Sequence, residues 1–165
     1  MIAGFADWLH ASSLGWAASG GIPWLERACK ILHFFGLVLL MGSVSAFDLR
    51  MLGLAKEFPP ASLQKLTPYA LLGFLINLAT GVVFFAGNPA QYLENVAFWL
   101  KMLFVVLAGV NALLFYALGV NRAIRPLAAG AATPFSAKMI AAASLFLWLG
   151  VMYWGRMLAF IGNAF

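Results

Sequence analysis

Residues 24–47 read WLERACKILHFFGLVLLMGSVSAF, and this stretch decides the fold. After Lys30 it contains no Asp, Glu, Lys or Arg. A helix needs roughly 20 consecutive apolar residues to cross the hydrocarbon core of a bilayer, which is far longer than a buried strand. We therefore predict that residues 24–47 form a transmembrane helix.

Three further apolar stretches have comparable length, at residues 68–86, 96–119 and 139–161. Lipid offers no partner to open backbone groups, so only helices or a closed barrel can span it. Barrel strands would alternate polar and apolar residues, and these stretches do not. Because the connections are short, we predict an all-α membrane protein: an up-and-down four-helix transmembrane bundle forming a single membrane domain over residues 1–165.

The composition agrees with a chain dissolved in lipid. Of its 165 residues, 64% are hydrophobic and 9% are charged, whereas a soluble protein has about a quarter charged residues. The net charge of +5 comes from basic residues near the ends of the apolar runs, so it does not indicate nucleic acid. The lone cysteine, Cys29, excludes an internal disulfide. The expected partner is the lipid bilayer, and the sequence leaves open a homo-oligomer or a larger membrane complex.

The first 23 residues resemble a cleaved signal peptide only loosely, because they lack a basic start. Apolar residues with helical spacing instead predict an amphipathic segment at the membrane interface, with Trp8, Trp16 and Trp24 as its aromatic anchors.

Lys and Arg are more numerous on the side of the first and third connections than on the other side. Since positive residues favour the cytoplasmic side, this bias predicts that both termini are periplasmic in a bacterial inner membrane.

Ionisable residues inside the spans are the main functional candidates, because they are costly in lipid. They are His33, Lys101 and Arg156, which the predicted topology places at similar depths. A histidine can ligate haem iron or copper or relay a proton, but it can also simply hydrogen-bond to a neighbouring helix. Lys101 can snorkel, and Arg156 can anchor its helix at the interface. Together the three predict a cofactor site, with Gly36 providing a flat surface for a planar ligand and the cations pairing with carboxylates.

Other polar residues in the spans have structural interpretations. Asn77 and Asn111 are expected to link helices by hydrogen bonds, as is Thr80. Asp48 and Arg50, at the end of the first span, predict a local salt bridge or, alternatively, a conformational gate. No hydrolase motif is present in the sequence.

Several motifs resemble an uncharacterised bacterial family of small four-span integral membrane proteins. They are Ile31-Leu32-His33-Phe34-Phe35-Gly36, Phe47-Asp48-Leu49-Arg50-Met51-Leu52-Gly53, Phe98-Trp99-Leu100-Lys101 and Gly109-Val110-Asn111-Ala112-Leu113. More distantly, the first-span histidine and the Trp-Leu-Lys of the third span are similar to those of HemJ, the membrane protoporphyrinogen oxidase, and of CopD-type copper-resistance proteins.

The resemblance to HemJ implies that His33 and Lys101 are the important intramembrane residues and that haem b is the cofactor. It leads to three hypotheses. The first is a membrane oxidoreductase or electron-transfer protein that binds haem b or another redox cofactor. The second is a non-enzymatic accessory subunit of a larger membrane complex. The third is copper handling, with His33 as a metal ligand.

Overall fold

The computed structural model describes residues 2–161, and every regular element in that range is helical. The helices are α1 (Ile2–His10), α2 (Ser13–Trp16), α3 (Leu25–Leu52), α4 (Pro60–Gln64), α5 (Thr67–Gly87), α6 (Pro89–Leu93), α7 (Val96–Ala117), α8 (Val120–Ile124) and α9 (Phe135–Met157). Met1 and residues 162–165, which belong to the predicted domain, lie outside the described residues. The segments Leu25–Leu52, Pro60–Gly87, Val96–Ala117 and Phe135–Met157 are long and apolar enough to cross a membrane. The predicted four-span helical architecture is confirmed.

Local sequence signals set the ends of these helices. The first span continues past its predicted end at residue 47 to Leu52, because Asp48 and Arg50 are compatible with a helix. It stops at Gly53, whose φ of +102° is a left-handed conformation that glycine adopts without strain. Asn95 caps α7, since its side chain accepts a hydrogen bond from the backbone N–H of Ala97 (2.9 Å).

The four long helices pack in the order α5, α3, α9, α7. Within the described residues, α5 and α7 have few contacts with each other, although they follow one another in the chain. The bundle is therefore less closed than the short connections predicted. A cleft separates α5 from α7 beyond the stacked rings of Phe85 and Phe98, whose centroids are 5.7 Å apart. We call the end of the bundle where α3 begins the His33 end, and the end where α3 terminates the Asp48 end.

The outer surface of the bundle is apolar. In the most apolar 18-residue window of each span, only 11–22% of the residues are buried inside the protein. Large side chains such as Phe34, Phe35 and Leu113 are about 70% exposed. A surface of this kind requires lipid around it, so the chain is a multi-pass membrane protein.

The N-terminal segment covers the His33 end of the bundle. Helix α1 packs against α6, while α2 and the helical turn at Ala17–Gly21 pack against α5. The side chains of Trp8, Trp16 and Trp24 stay more than 60% exposed. Their role as interfacial anchors remains a prediction.

Candidate functional site at the His33 end

His33 on α3 is joined to Thr80 on α5. The distance from His33 Nδ1 to Thr80 Oγ1 is 2.7 Å. The Thr80 hydroxyl donates to the carbonyl of Ile76, also at 2.7 Å, as threonine commonly does within a helix. Because that hydroxyl carries a single hydrogen, Nδ1 of His33 is the donor to Thr80. The Nε2 lone pair of the imidazole is then free to bind a metal or accept a proton.

Lys101 on α7 brings a positive charge to the same region. Its ammonium lies within electrostatic range of the His33 imidazole. Its side chain runs past Gly155 on α9, where an added Cβ would lie 3.7–3.8 Å from Lys101 Cε, Cδ and Nζ. The structure thus brings together two of the three ionisable residues predicted from sequence, although they come from the first and third spans.

Arg156 and Gly36 have other neighbours. Arg156 is exposed near the end of α9, and its guanidinium carbon lies 5.1 Å from the centroid of the Phe160 ring. Gly36 is buried against α5, where an added Cβ would lie 2.6 Å from Asn77 Nδ2 and 3.0 Å from Gly73 O. The flat surface at Gly36, expected to receive a planar ligand, is therefore occupied by a crossing helix.

A polar recess of about 550 Å³ lies beyond His33, at the end of the bundle. Its walls include His10, Glu26, Lys30, Tyr92 and Phe84. The ring centroid of Phe84 is 5.5 Å from that of His33, so this wall residue packs against the imidazole.

Polar side chains from several elements line this recess, and three of them have described interactions. The Lys30 ammonium and the Glu26 carboxylate form an ion pair at 2.6 Å. Burial, and to a lesser extent the charge of Glu26, raise the pKa of Tyr92 above its usual value. The Tyr92 hydroxyl therefore stays neutral at physiological pH and can donate a hydrogen bond. Sequence reasoning missed this recess, because its residues come from four separate parts of the chain, at residues 10, 18–19, 26–30 and 84–92.

The two asparagines of the spans make different hydrogen bonds. Asn111 Nδ2 donates to the carbonyl of Ile140, which joins α7 to α9 (3.1 Å). Asn77 Nδ2 donates to Gly73 O within its own helix (2.9 Å). Asn111 therefore links two helices, whereas the hydrogen bond of Asn77 stays within α5 and does not make the expected link.

Arg50 and Asp48 do not form the predicted salt bridge. Arg50 is fully buried and donates from Nε to Phe58 O (2.6 Å), from Nη1 to Thr133 Oγ1 (3.3 Å) and from Nη2 to Ala131 O (3.4 Å). Asp48 is 4% exposed, and its Oδ2 has no hydrogen-bond partner among the described residues. Residues two apart on a helix do not face each other, which explains why the two charges do not pair.

Metal ligands are sparse in the part of the chain that the structure describes. It contains no group of three or more His, Cys, Asp or Glu side chains that could hold a metal ion. The protein donors near His33 are therefore one imidazole nitrogen and, for anionic groups, the Lys101 ammonium.

A protein-family model described as a family of unknown function, DUF6644, matches residues 5–161. The chain belongs to this family. The matched range contains His33, Lys101, Asp48 and Arg50. No curated protein and no solved structure matches the chain. The prediction of an uncharacterised membrane-protein family is confirmed, whereas the similarity to HemJ and CopD remains a prediction.

Proposed function

We propose that the protein is a membrane redox protein in which the His33 imidazole would hold haem b or a related cofactor. The observation that carries the proposal is the hydrogen bond from His33 Nδ1 to Thr80. Metal-bound histidines usually donate their second ring nitrogen to an oxygen acceptor, which fixes the tautomer and the orientation of the ring. His33 makes such a hydrogen bond, and its Nε2 is the atom that would hold the metal.

The groups around His33 can provide one protein ligand to an iron centre, the imidazole nitrogen. They can also provide one counter-ion to an acidic substituent of the cofactor, the Lys101 ammonium. Lys101 would pair with a carboxylate such as a haem propionate. When bound, haem would supply one-electron transfer. The chain itself would orient the His33 imidazole through Thr80 and neutralise the negative charge of the cofactor through Lys101.

Absorption spectroscopy tests the proposal directly. The protein should be produced with haem supplied and purified in mild detergent, and its spectrum measured before and after dithionite. We expect a Soret band that shifts on reduction and is lost in His33→Ala. The other histidine, His10, is exposed and outside the long helices, so His10→Ala is a matched control that should keep the band. A wild type without a Soret band, or an unchanged band in a folded His33→Ala protein, would overturn the proposal.

Thr80 provides a finer prediction. In Thr80→Val the imidazole loses its orienting acceptor while the size of the side chain is kept. We expect the affinity for haem to fall by about 10–100-fold, the usual cost of losing such a partner. Thr80→Ser retains the hydroxyl and should bind close to the wild-type level. Titration of the purified apoprotein with haem measures all three constants, and equal affinities for the valine and serine variants would contradict the role of Thr80.

A second candidate function is an accessory subunit of a larger membrane complex. The observation that favours it is the open surface at Gly42 and Gly81, since an added Cβ at either would meet no atom within 4 Å. Small residues on a lipid-facing surface allow another helix to approach closely. Co-purification of a partner at fixed stoichiometry, retained in His33→Ala and lost in Gly42→Leu, would support this function over the redox one. Copper handling would require further donors, because His33 alone is a poor copper site.

A further inference from the structure

A cavity of about 400 Å³ lies at the Asp48 end, in the opposite half of the bundle from His33. All four long helices contribute to its walls, which include Leu40, Asp48, Phe74, Asn111, Ser144 and Trp148. From Asp48 to Leu40 the cavity follows two turns of α3, or roughly 12 Å at 1.5 Å per residue. Its volume is in the range of sites for small ligands.

The cavity opens toward lipid. Its walls on α5 and α7 belong to two helices whose backbones stay apart, and the stacked rings of Phe85 and Phe98 join them at the opposite end, the His33 end. Gly109 and Ala112 on the α7 wall are small and exposed, so the gap between the helices is not closed by bulky side chains. A molecule dissolved in the bilayer can therefore enter sideways.

The cavity is apolar along most of its length and polar at one end. Only 4% of the surface of Asp48 is exposed, and its Oδ2 lacks a hydrogen-bond partner among the described residues. Buried polar groups in proteins are nearly always hydrogen-bonded, so an acceptor left free beside a cavity indicates a partner that comes from outside the chain. Gln64 and Thr67 line the same end.

Within the described residues, Asp48 forms no salt bridge, and the neighbouring Arg50 is committed elsewhere. The guanidinium is two residues from Asp48 and fully buried, and all three of its nitrogen atoms donate to groups other than Asp48. It therefore leaves the Asp48 oxygen free. The walls of the cavity are mostly apolar and, in the part of the chain that the structure describes, include no Lys or Arg side chain. Moving a cation into such a cavity costs far more than moving a neutral hydroxyl, so a neutral donor is the favoured partner.

We infer that this cavity binds a membrane-soluble molecule that carries a neutral hydroxyl head group on an apolar ring or chain. The hydroxyl donates to Oδ2 of Asp48, and the apolar part lies along Leu40, Phe74 and Trp148 toward the centre of the bundle. Two sources have this chemistry, a quinol and a long-chain alcohol. The inference is independent of any cofactor at His33, because the two sites occupy opposite halves of the bundle.

Binding should be measured in lipid nanodiscs with matched pairs of probes. The pairs are 1-dodecanol and its methyl ether, and decylubiquinol and its dimethyl ether, since each ether keeps the apolar part and removes the donor. We expect at least one parent probe to bind the wild type about tenfold more tightly than its ether, which corresponds to one hydrogen bond. Preference for the alcohol or for the quinol identifies the source.

Three variants make the test specific. Asp48→Leu removes the acceptor and should bring the ratio of parent to ether affinity to about one. Ala112→Trp narrows the cavity from α7 without touching Asp48 and should weaken both members of a pair. Glu57→Gln changes an exposed carboxylate outside the cavity and should leave the ratio at the wild-type value.

The inference is overturned if neither parent probe is preferred over its ether by the wild type, or if Asp48→Leu keeps the preference. Unchanged binding in Ala112→Trp would overturn it as well, and this variant remains decisive should Asp48→Leu fail to fold. The same titrations in His33→Ala should give wild-type ratios. Failure of the haem proposal and failure of this inference are therefore seen in different experiments.

Discussion

Arg50→Ala is expected to lower the free energy of unfolding by about 3–5 kcal/mol, because it removes a fully buried cation and all its hydrogen bonds at once. The Arg50 side chain connects the end of α3 to both loops at the Asp48 end. It binds the carbonyl of Phe58 in the first connection and reaches Thr133 and Ala131 in the third. Without it, acceptors that are now satisfied lose their donor, and a large space opens beneath the loops.

Unfolding in mixed micelles, followed by tryptophan fluorescence, measures the loss. Arg122→Ala and Arg125→Ala are the matched controls, since both residues are exposed in the third connection. They should stay within about 0.5 kcal/mol of the wild type. Arg50→Lys should recover only part of the stability, because one ammonium cannot reproduce the planar fork of donors.

Proteolysis reports separately on the two loops. The backbone N–H of Gly130 donates to Lys56 O at 2.7 Å, so the first and third connections also hold each other. If Arg50 holds both loops in place, trypsin should cut after the exposed Lys56 faster in Arg50→Ala than in the wild type or in Arg122→Ala. A stability equal to that of the exposed controls, with unchanged cleavage at Lys56, would show that the buried arginine does not organise this end.

The sequence predicted the four spans because a single local property, the length of an apolar run, determines whether a helix can cross a bilayer. It did not predict which helices pack together. The connection between the second and third spans is short, yet α5 and α7 are separated, and α3 packs against α9 from the far end of the chain. Such pairings depend on how surfaces fit across the bundle, and one sequence read alone carries little information about them.

In the candidate site, too, the sequence predicted some residues and not their packing partners. His33 and Lys101 are recognisable because a charged or titratable residue in an apolar run is rare. Thr80, which orients His33, is separated from it by 47 residues. The sequence predicted only that it links helices, and nothing in the pattern predicted that its partner is His33. Gly36 illustrates an ambiguity in residue type, because a small residue beside a histidine allows either a planar ligand or a neighbouring helix to approach. Asp48 and Arg50 are close in sequence, but the helical geometry directs them to different partners.

The crossing of α3 and α5 is the contact on which the His33 site depends. An added Cβ at Gly73 would lie 2.6 Å from Gly36 O and 2.6 Å from the backbone nitrogen of Leu40. Both atoms belong to the backbone of α3, so no change of side-chain rotamer can relieve the overlap. Gly73→Ala must push the helices apart, and we expect it to destabilise the protein by about 1–3 kcal/mol, the usual cost of overpacking.

Gly81→Ala is the matched control, since it makes the same substitution on the same helix at a position with no atom within 4 Å of the added Cβ. It should be neutral or stabilising by up to about 1 kcal/mol, because alanine favours a helix over glycine. Thr80 lies on α5 two turns from Gly73, so separating the helices should also lengthen the 2.7 Å hydrogen bond to His33. Nitrogen NMR of the imidazole should then show a mixture of tautomers in Gly73→Ala and a single Nδ1–H tautomer in Gly81→Ala. If both variants gave the wild-type stability and spectrum, the close crossing at Gly36 and Gly73 would not be what positions the histidine.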